Sequence, residues 1–179
     1  EKYLRRKITY EAERGDHVPA YLLIPHQRQG PGAAMLCLHQ TTRIGKGEPS
    51  GLGGKPALHY AHELAERGYI CLAPDYPSFG DYPYDFNRPG EPYVSGTMKA
   101  IWNNVRAIDL LQAMPEVAAH RIGCIGHSLG GHNTLFTSAF ETPEDPKRIR
   151  ERLKSNTGSQ PLTLLASVKL HAICADRKT

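Results

Sequence analysis

Apolar residues follow two kinds of strand pattern near the start of the chain, one alternating and one continuous. Residues 4–10 and 18–24 are alternating or β-rich runs, and the turn-forming cluster 13–16 separates them. This arrangement predicts a β-hairpin. Residues 33–38 are continuously apolar, which is typical of a strand that helices cover on both faces.

The pattern then alternates between helix and strand. Residues 56–67 carry apolar side chains at helical spacing, and the short run 69–73 is apolar throughout. Residues 95–114 form the clearest predicted helix, with Ser95 as its cap, and a strand follows at 121–125. A hairpin followed by strand, helix, strand, helix, strand and helix predicts a mostly parallel sheet with helices on both faces.

Two connecting segments lack periodicity. Residues 74–93 are rich in proline and aromatic residues, and long irregular segments of this kind are often functional. Residues 43–55 are rich in glycine but do not match the phosphate-loop pattern, because neither Gly-Lys pair has the upstream glycine or the following Ser or Thr. We expect 43–55 to be a surface loop near the face that binds ligands.

Length and composition indicate one soluble domain and exclude several functions. The chain has 179 residues and a net charge of +4 from dispersed lysines and arginines, without a basic stripe for nucleic acid. The cysteines show no metal-binding or redox spacing, so no metal or cofactor is predicted. No membrane span or signal peptide is seen, which favours the cytoplasm. The chain starts without methionine, so the compartment stays open.

One short motif carries the chemistry. Residues 126–131 read Gly-His-Ser-Leu-Gly-Gly, between the apolar strand 121–125 and a predicted helix. G-x-S-x-G in this context places a serine on a sharp turn, the nucleophile elbow. Gly126 and Gly130 flank a turn that is too tight for a Cβ.

The chain resembles the α/β-hydrolase superfamily, and within it the dienelactone-hydrolase-like and acetyl-xylan-esterase-like serine hydrolases. The matching residues are the strand 35–39 with its loop, the step 73–76 and the elbow 126–131. The resemblance implies an α/β-hydrolase fold with an N-terminal β-hairpin, without the C-terminal strands of the family. We expect one domain over 1–179, with 1–140 as the family core and 141–179 as a divergent or truncated tail.

The resemblance also implies site roles. Ser128 is expected to be the nucleophile, and the backbone N–H of Leu129 is one expected donor to the oxyanion. The second donor comes from the loop after residue 38. Relatives often have His-Gly there, whereas this chain has His39 and Gln40, so we assign the donor to Thr41 with Gln40 as the alternative.

Other polar residues are predicted to be structural. His39 is expected to support the oxyanion loop by hydrogen bonding, and His127 to point away from its neighbour Ser128. His132 lies on the helix after the elbow and faces either the core or its polar edge. Asp75 is expected to hold a loop rather than to act in catalysis.

The catalytic acid and base are not identified. In this superfamily they follow the nucleophile in the order acid, then histidine. His171 and Asp176 are the only late pair and occur in the reverse order, on a possible further strand within 162–175. The chain is therefore predicted to be truncated or divergent in its proton-transfer residues.

The substrate is expected to be a small-molecule ester, and the oligomeric state stays open. Tyr76 and Phe79 are the candidate substrate-binding residues. They belong to a set of aromatic residues that either line the pocket or pack the loop onto the body: Tyr76, Phe79, Tyr82, Tyr84, Phe86 and Tyr93.

Three functions fit the sequence. The first is a serine hydrolase that cleaves a carboxylic ester through an acyl-enzyme on Ser128. The second is a catalytically silent hydrolase-fold protein or fragment without acid and base. The third is a peptidase of the prolyl-oligopeptidase type, which shares the elbow but normally carries a propeller domain.

Overall fold

A computed structural model describes residues 2–140, and the backbone of 172–174. These residues form a six-stranded sheet in the order β1-β2-β4-β3-β5-β6. The strands are β1 (Tyr3–Glu13), β2 (Asp16–Pro25), β3 (Gly32–Leu38), β4 (Ile70–Pro74), β5 (Val117–Gly126) and β6 (Ala172–Cys174). The helices are α1 (Tyr60–Glu66), α2 (Gly96–Ala113) and α3 (Leu129–Phe140).

The sheet is mixed, and its parallel part carries the site. β1 and β2 pair antiparallel as the predicted hairpin, with a register shift between Glu11 and Glu13. β2 also runs antiparallel to β4, whereas β4, β3, β5 and β6 are parallel neighbours. The carboxyl ends of β3, β4 and β5 therefore meet at one edge, where ligands bind in such sheets.

Helices cover both faces of the sheet, as the alternation predicted. Successive residues of β3 point to opposite faces, so Leu36 packs with the α2 side chains Ile101 and Ile108 in one core. Met35 packs with Ala61 of α1 in the other core. β3 is consequently buried on both faces, which explains its continuous apolar run.

The long helix α2 follows its sequence pattern closely. The Ser95 side chain accepts a hydrogen bond from the N–H of Met98 at 3.3 Å and caps the helix. Trp102 is buried in the core, and its indole N–H donates to the carbonyl of Ala12 at 3.0 Å. This bond attaches α2 to the first strand of the hairpin.

The expectation of a surface loop at 43–55 holds for the exposed residues 43–44 and 52–55 but was wrong for the middle of the segment. Residues 45–50 are buried, and the set includes the charged side chains Lys46 and Glu48. They can be buried because each is compensated: Lys46 by two carboxylates, and Glu48 by bonds from Gln40 and the backbone of Lys55.

The predicted helix over 56–67 is interrupted. Residues Pro56–Leu58 form a 3-10 turn, and α1 begins only at Tyr60. His59 joins the two at φ −79° and ψ 39°, outside the helical region, which breaks the backbone hydrogen-bond ladder.

Three cysteines are free thiols buried in the two cores. They are Cys37, Cys71 and Cys124, and their burial agrees with their apolar surroundings in the sequence.

Within the described residues, no helix has the length and apolar character needed to cross a membrane.

Candidate active site at the nucleophile elbow

Ser128 occupies the tip of a turn between β5 and α3. Its φ angle is 53°, a left-handed conformation that is rare for a residue with a side chain. The residue is exposed, while Gly126 before it and Gly130 after it are buried. This combination is the geometry of a nucleophile elbow.

The two glycines are required by close backbone contacts. A Cβ on Gly126 would overlap the backbone of Gly130, and a Cβ on Gly130 would overlap the carbonyl oxygen of Leu38. The two sides of the elbow turn are thus in close backbone contact with each other, and the turn is in close contact with the end of β3. Any side chain at either position would move Ser128.

The N-terminus of α3 supplies a hydrogen-bond donor beside Ser128. The N–H of Gly130 donates to the His127 carbonyl at 2.8 Å, and the N–H of His132 donates to the Ser128 carbonyl at 2.9 Å. Leu129 is the first residue of the helix, so its N–H has no partner within the helix. This N–H and the positive end of the helix dipole favour negative charge at the elbow.

His39 holds the loop that faces the elbow. Its Nδ1–H donates to the Gln40 carbonyl at 2.6 Å, and its Nε2 accepts from the N–H of Tyr76 at 3.2 Å. The ring is buried between Tyr76 and Phe79, with centroid distances of 4.3 Å and 5.5 Å. Burial lowers the pKa of His39, so the ring is a neutral connector, in agreement with the expected supporting role.

The two candidate oxyanion donors on this loop differ in exposure. Thr41 is exposed, whereas the side chain of Gln40 is partly buried and donates to Glu48 at 3.0 Å. Glu48 also accepts from the N–H of Lys55 at 3.0 Å. The Gln40 side chain therefore anchors the loop, and Thr41 stands next to it at the carboxyl end of β3.

An ion-pair network centred on the buried Lys46 also holds the loop after β3 in place. Lys46 Nζ lies 2.5 Å from Asp75 Oδ2 and 2.6 Å from Asp81 Oδ2. Asp75 also accepts from the N–H of Lys46 at 2.7 Å and from the N–H of Asp81 at 2.9 Å. Asp75 thus connects the loop after β3 to the loop after β4, the structural role expected of it.

A cavity of about 250 Å³ lies beside the elbow. Tyr76 and Phe79 line it on one side, and Leu129 and Asn133 of α3 line it on the other. The structure therefore brings both predicted substrate-binding residues to a cavity that reaches the neighbour of Ser128. Burial raises the pKa of Tyr76 well above its ordinary value, and the nearby Asn133 amide offsets only part of that rise.

The other aromatic residues of the segment 74–93 pack it onto the body. The hydroxyl of Tyr82 donates to Asp16 at 2.7 Å, and the hydroxyl of Tyr93 donates to Glu13 at 3.0 Å. Tyr84 donates to Glu91 within the segment. These contacts match the packing alternative, so the aromatic set divides between pocket and scaffold.

A sequence model described as "Dienelactone hydrolase family" matches residues 48–144, which is more than half of the chain. The chain belongs to the dienelactone hydrolase family. The matched range contains the segment 74–93 and the elbow. The dienelactone hydrolase family consists of hydrolases with the α/β-hydrolase fold, and the sheet order and the elbow of this chain agree with that fold.

Individual relatives agree with this assignment. The chain is 29% identical over 135 residues to "Putative hydrolase YtaP" of Bacillus subtilis strain 168, which is 70% of this chain and 45% of that protein. A "putative acetyl xylan esterase" of Bacteroides fragilis NCTC 9343 has a TM-score of 0.66 at 20% identity, over 77% of this chain and 42% of that one. Acetyl xylan esterase 1 of Thermoanaerobacterium sp. JW/SL YS485 has a TM-score of 0.60 at 16% identity, over 78% of this chain and 45% of that one. The chain thus spans less than half the length of each.

In this dienelactone hydrolase family member, the imidazole rings of three histidines have their described contacts with residues other than Ser128. His59 pairs with the Gly53 carbonyl at 2.9 Å, His62 with the Tyr3 hydroxyl at 2.8 Å, and His132 stacks on Phe136 at 4.6 Å. His132 is exposed, so it does not face the core. The late pair His171 and Asp176 lies outside the described residues.

Three residues that hold the elbow, the loop after β3 or the cavity wall were missed by sequence reasoning. The Tyr60 hydroxyl donates to the Leu38 carbonyl and accepts from the backbone N–H of His127. Tyr60 thereby connects the end of β3 to the elbow. Lys46 was assigned to a surface loop. Asn133 sits four residues after Leu129 and so shares its helix face, a spacing that could have placed it at the cavity.

Proposed function

We propose that the chain is the nucleophile-bearing part of a serine hydrolase that cleaves a small carboxylic ester through an acyl-enzyme on Ser128. The observation that carries this proposal is the left-handed backbone conformation of Ser128, which has a φ angle of 53° and lies at the tip of the β5–α3 turn. Such strain persists only where the surroundings impose it, and it is typical of functional sites. Membership of a hydrolase family supports the same conclusion.

The reaction has two balanced steps. In the first, Ser128 Oγ attacks the ester carbonyl and loses its proton to a base, the carbonyl–alkoxy bond breaks, and the alcohol leaves with a proton. In the second, water attacks the acyl-enzyme, which releases the carboxylic acid and restores the serine hydroxyl.

The oxyanion formed in each step needs fixed donors. We assign these roles to the N–H groups of Leu129 and Thr41. Leu129 is supported by its position at the first turn of α3, where its N–H has no helical partner. Thr41 is supported by its position after β3, on a loop that His39 and Gln40 hold in place. Preorganised donors of this kind stabilise developing charge because they need no rearrangement during the reaction.

The elbow serine can be tested by ester turnover. With p-nitrophenyl acetate, Ser128→Ala is expected to lower kcat by at least ~10³-fold, the size of loss seen when a serine nucleophile is removed. Ser138→Ala is the matched control, because Ser138 lies on the same helix and its hydroxyl donates to the Thr134 carbonyl at 2.7 Å. Turnover that survives in Ser128→Ala contradicts the proposal.

A second candidate is a catalytically silent protein of the same fold. It is favoured by the sequence, in which the acid and base that would activate the serine are not identified, and the described partners of the His39, His59, His62 and His132 rings are residues other than Ser128. Absence of Ser128-dependent turnover on a panel of p-nitrophenyl esters supports this candidate. Faster turnover of a prolyl amide than of every ester supports the peptidase reading instead.

A further inference from the structure

We propose that Tyr76 and Asn133 form a buried bridge that fixes the spacing between the two oxyanion donors, the N–H groups of Leu129 and Thr41. This inference rests on the proposed ester hydrolysis and names two positioning residues for it. Both side chains act through the backbone groups that they hold, and neither polar group contacts the substrate.

The Thr41 side of the bridge is set by His39. The Nδ1–H of this ring donates to the Gln40 carbonyl at 2.6 Å. That carbonyl and the N–H of Thr41 belong to one peptide unit, and they point in opposite directions because the peptide is trans and planar. The bond from His39 therefore sets the direction of the Thr41 N–H.

Tyr76 holds the other edge of the same imidazole ring. Its backbone N–H donates to His39 Nε2 at 3.2 Å, and the two rings pack with a centroid distance of 4.3 Å. The imidazole is thus fixed by hydrogen bonds on both nitrogens. A displacement of Tyr76 would consequently shift His39 and turn the peptide that carries the Thr41 N–H.

Asn133 connects Tyr76 to the elbow. Its Nδ2 donates to the Leu129 carbonyl at 3.0 Å, and its amide is also hydrogen-bonded to the Tyr76 hydroxyl. One amide nitrogen carries two hydrogens, so it can serve both acceptors. Burial raises the pKa of Tyr76, and the bond to Asn133 opposes that rise, as expected when the amide donates to the phenol oxygen.

The bridge is closed to the substrate. Tyr76 is 3% exposed and Asn133 is 1% exposed, and their polar groups bond to each other behind the wall of the cavity beside the elbow. A change in turnover caused by removing either polar group therefore reflects the position of the donors and not a lost contact with the ester.

Displaced oxyanion donors have a characteristic kinetic effect. Fixed donors stabilise the charge that develops in the transition state, whereas the uncharged ester in the ground state gains little from them. A loss of this kind lowers kcat and kcat/KM together and leaves KM nearly unchanged. A misplacement of about 1 Å is enough to cost about 10²-fold.

Two substitutions break the bridge. Tyr76→Phe removes only the hydroxyl oxygen, and Asn133→Leu replaces the amide by an apolar side chain of similar size. With p-nitrophenyl acetate, we expect each variant to lower kcat by about ten- to hundredfold while KM changes by less than about threefold. The double variant is expected to lose little more than the weaker single variant, because the two residues act as one unit.

Two matched controls remove buried hydrogen bonds elsewhere. The Tyr10 hydroxyl donates to the Asn103 carbonyl at 3.0 Å, and Asn104 Nδ2 donates to Thr137 at 3.0 Å. Tyr10 is 7% exposed and Asn104 is 1% exposed, and neither lines the cavity beside the elbow. Tyr10→Phe and Asn104→Leu are expected to lower stability but to leave kcat within about threefold of the wild-type value.

Hydrogen exchange examines the bridge without turnover. The Tyr76 N–H is protected by its bond to His39. At urea concentrations that give equal global stability, NMR is expected to show this amide exchanging at least about tenfold faster in Asn133→Leu than in Asn104→Leu, because only the first variant loosens the segment locally.

The outcomes separate this inference from the proposed function. An unchanged kcat in Tyr76→Phe, a raised KM at constant kcat, equal losses of kcat in the control variants, or equal exchange of the Tyr76 amide in Asn133→Leu and Asn104→Leu would each overturn the inference alone. Absence of Ser128-dependent turnover would overturn the proposed function and, with it, the role of the bridge in catalysis.

Discussion

Gly130 is the residue with least room in the site. A Cβ there would overlap the carbonyl oxygen of Leu38, which is backbone and cannot rotate away. We expect Gly130→Ala to lower the free energy of unfolding by roughly 2–4 kcal/mol and to displace Ser128, because the elbow must move from β3. Urea denaturation measures the first effect, and ester turnover measures the second.

Gly32 provides the comparison for this substitution. It lies in β3, and a Cβ there would meet its nearest atom, on the Ile70 side chain, at 3.9 Å, an ordinary contact. Gly32→Ala is therefore expected to change stability by less than about 1 kcal/mol. Equal losses in the two variants would show that the elbow has more freedom than its contacts indicate.

His39 makes the stability depend on pH. Burial lowers its pKa in the folded state below the ordinary value of 6.5, so at mildly acid pH the unfolded chain binds more protons at this residue than the folded protein. The contribution is fully present above about pH 6.5 and is lost as the pH falls through the lowered pKa.

The measurement is urea denaturation at pH 7 and pH 5. The free energy of unfolding of the wild-type protein is expected to fall on acidification by up to about 1.4 kcal/mol per pH unit from this residue. The fall should be smaller in His39→Asn, which has no group that titrates there. Identical falls in both proteins would mean that His39 is not held in its neutral form.

At the scale of elements, the loop 43–55 shows what periodicity cannot reveal. Lys46 is buried because Asp75 and Asp81 reach it from positions 29 and 35 residues further along the chain. Nothing in the local sequence distinguishes this lysine from an exposed one. In contrast, β3 and α2 were predictable, because their apolar spacing records directly which faces are covered.

The network around Lys46 predicts a large difference between two lysines. Lys46 and Lys7 both contact Asp81, at 2.6 Å and 2.8 Å, but Lys46 has a side-chain exposure of 2% and Lys7 of 59%. We expect Lys46→Met to destabilise the protein by about 3 kcal/mol or more, because it leaves the buried Asp75 without its cation.

Lys7→Met is expected to cost less than about 1 kcal/mol, the range of exposed ion pairs. Thermal or urea denaturation of the two variants gives the comparison. Similar small losses in both would imply that the loop 43–55 is not held by the network. Since this loop adjoins Thr41, Lys46→Met is also expected to lower ester turnover more than Lys7→Met does.

At the scale of the whole molecule, sequence and structure agree on the architecture. The elbow motif was recognisable because its glycines and its position between strand and helix are local properties. The cavity beside the elbow was not recognisable from the sequence. Tyr76 lies in the loop after β4 and Asn133 lies in α3, so only the fold brings them to the same cavity. Family membership places the chain among hydrolases, and the matched part covers less than half of the length of each relative.

The central claim is that Ser128 is an activated nucleophile, and covalent labelling tests it most directly. A fluorophosphonate probe bonds to a serine oxygen only when a base and oxyanion donors activate it. After reaction with the probe and proteolysis, mass spectrometry is expected to find one phosphonate on the peptide that contains Ser128, and none in Ser128→Ala. An unlabelled wild-type protein, or equal labelling of Ser128→Ala, would contradict the account.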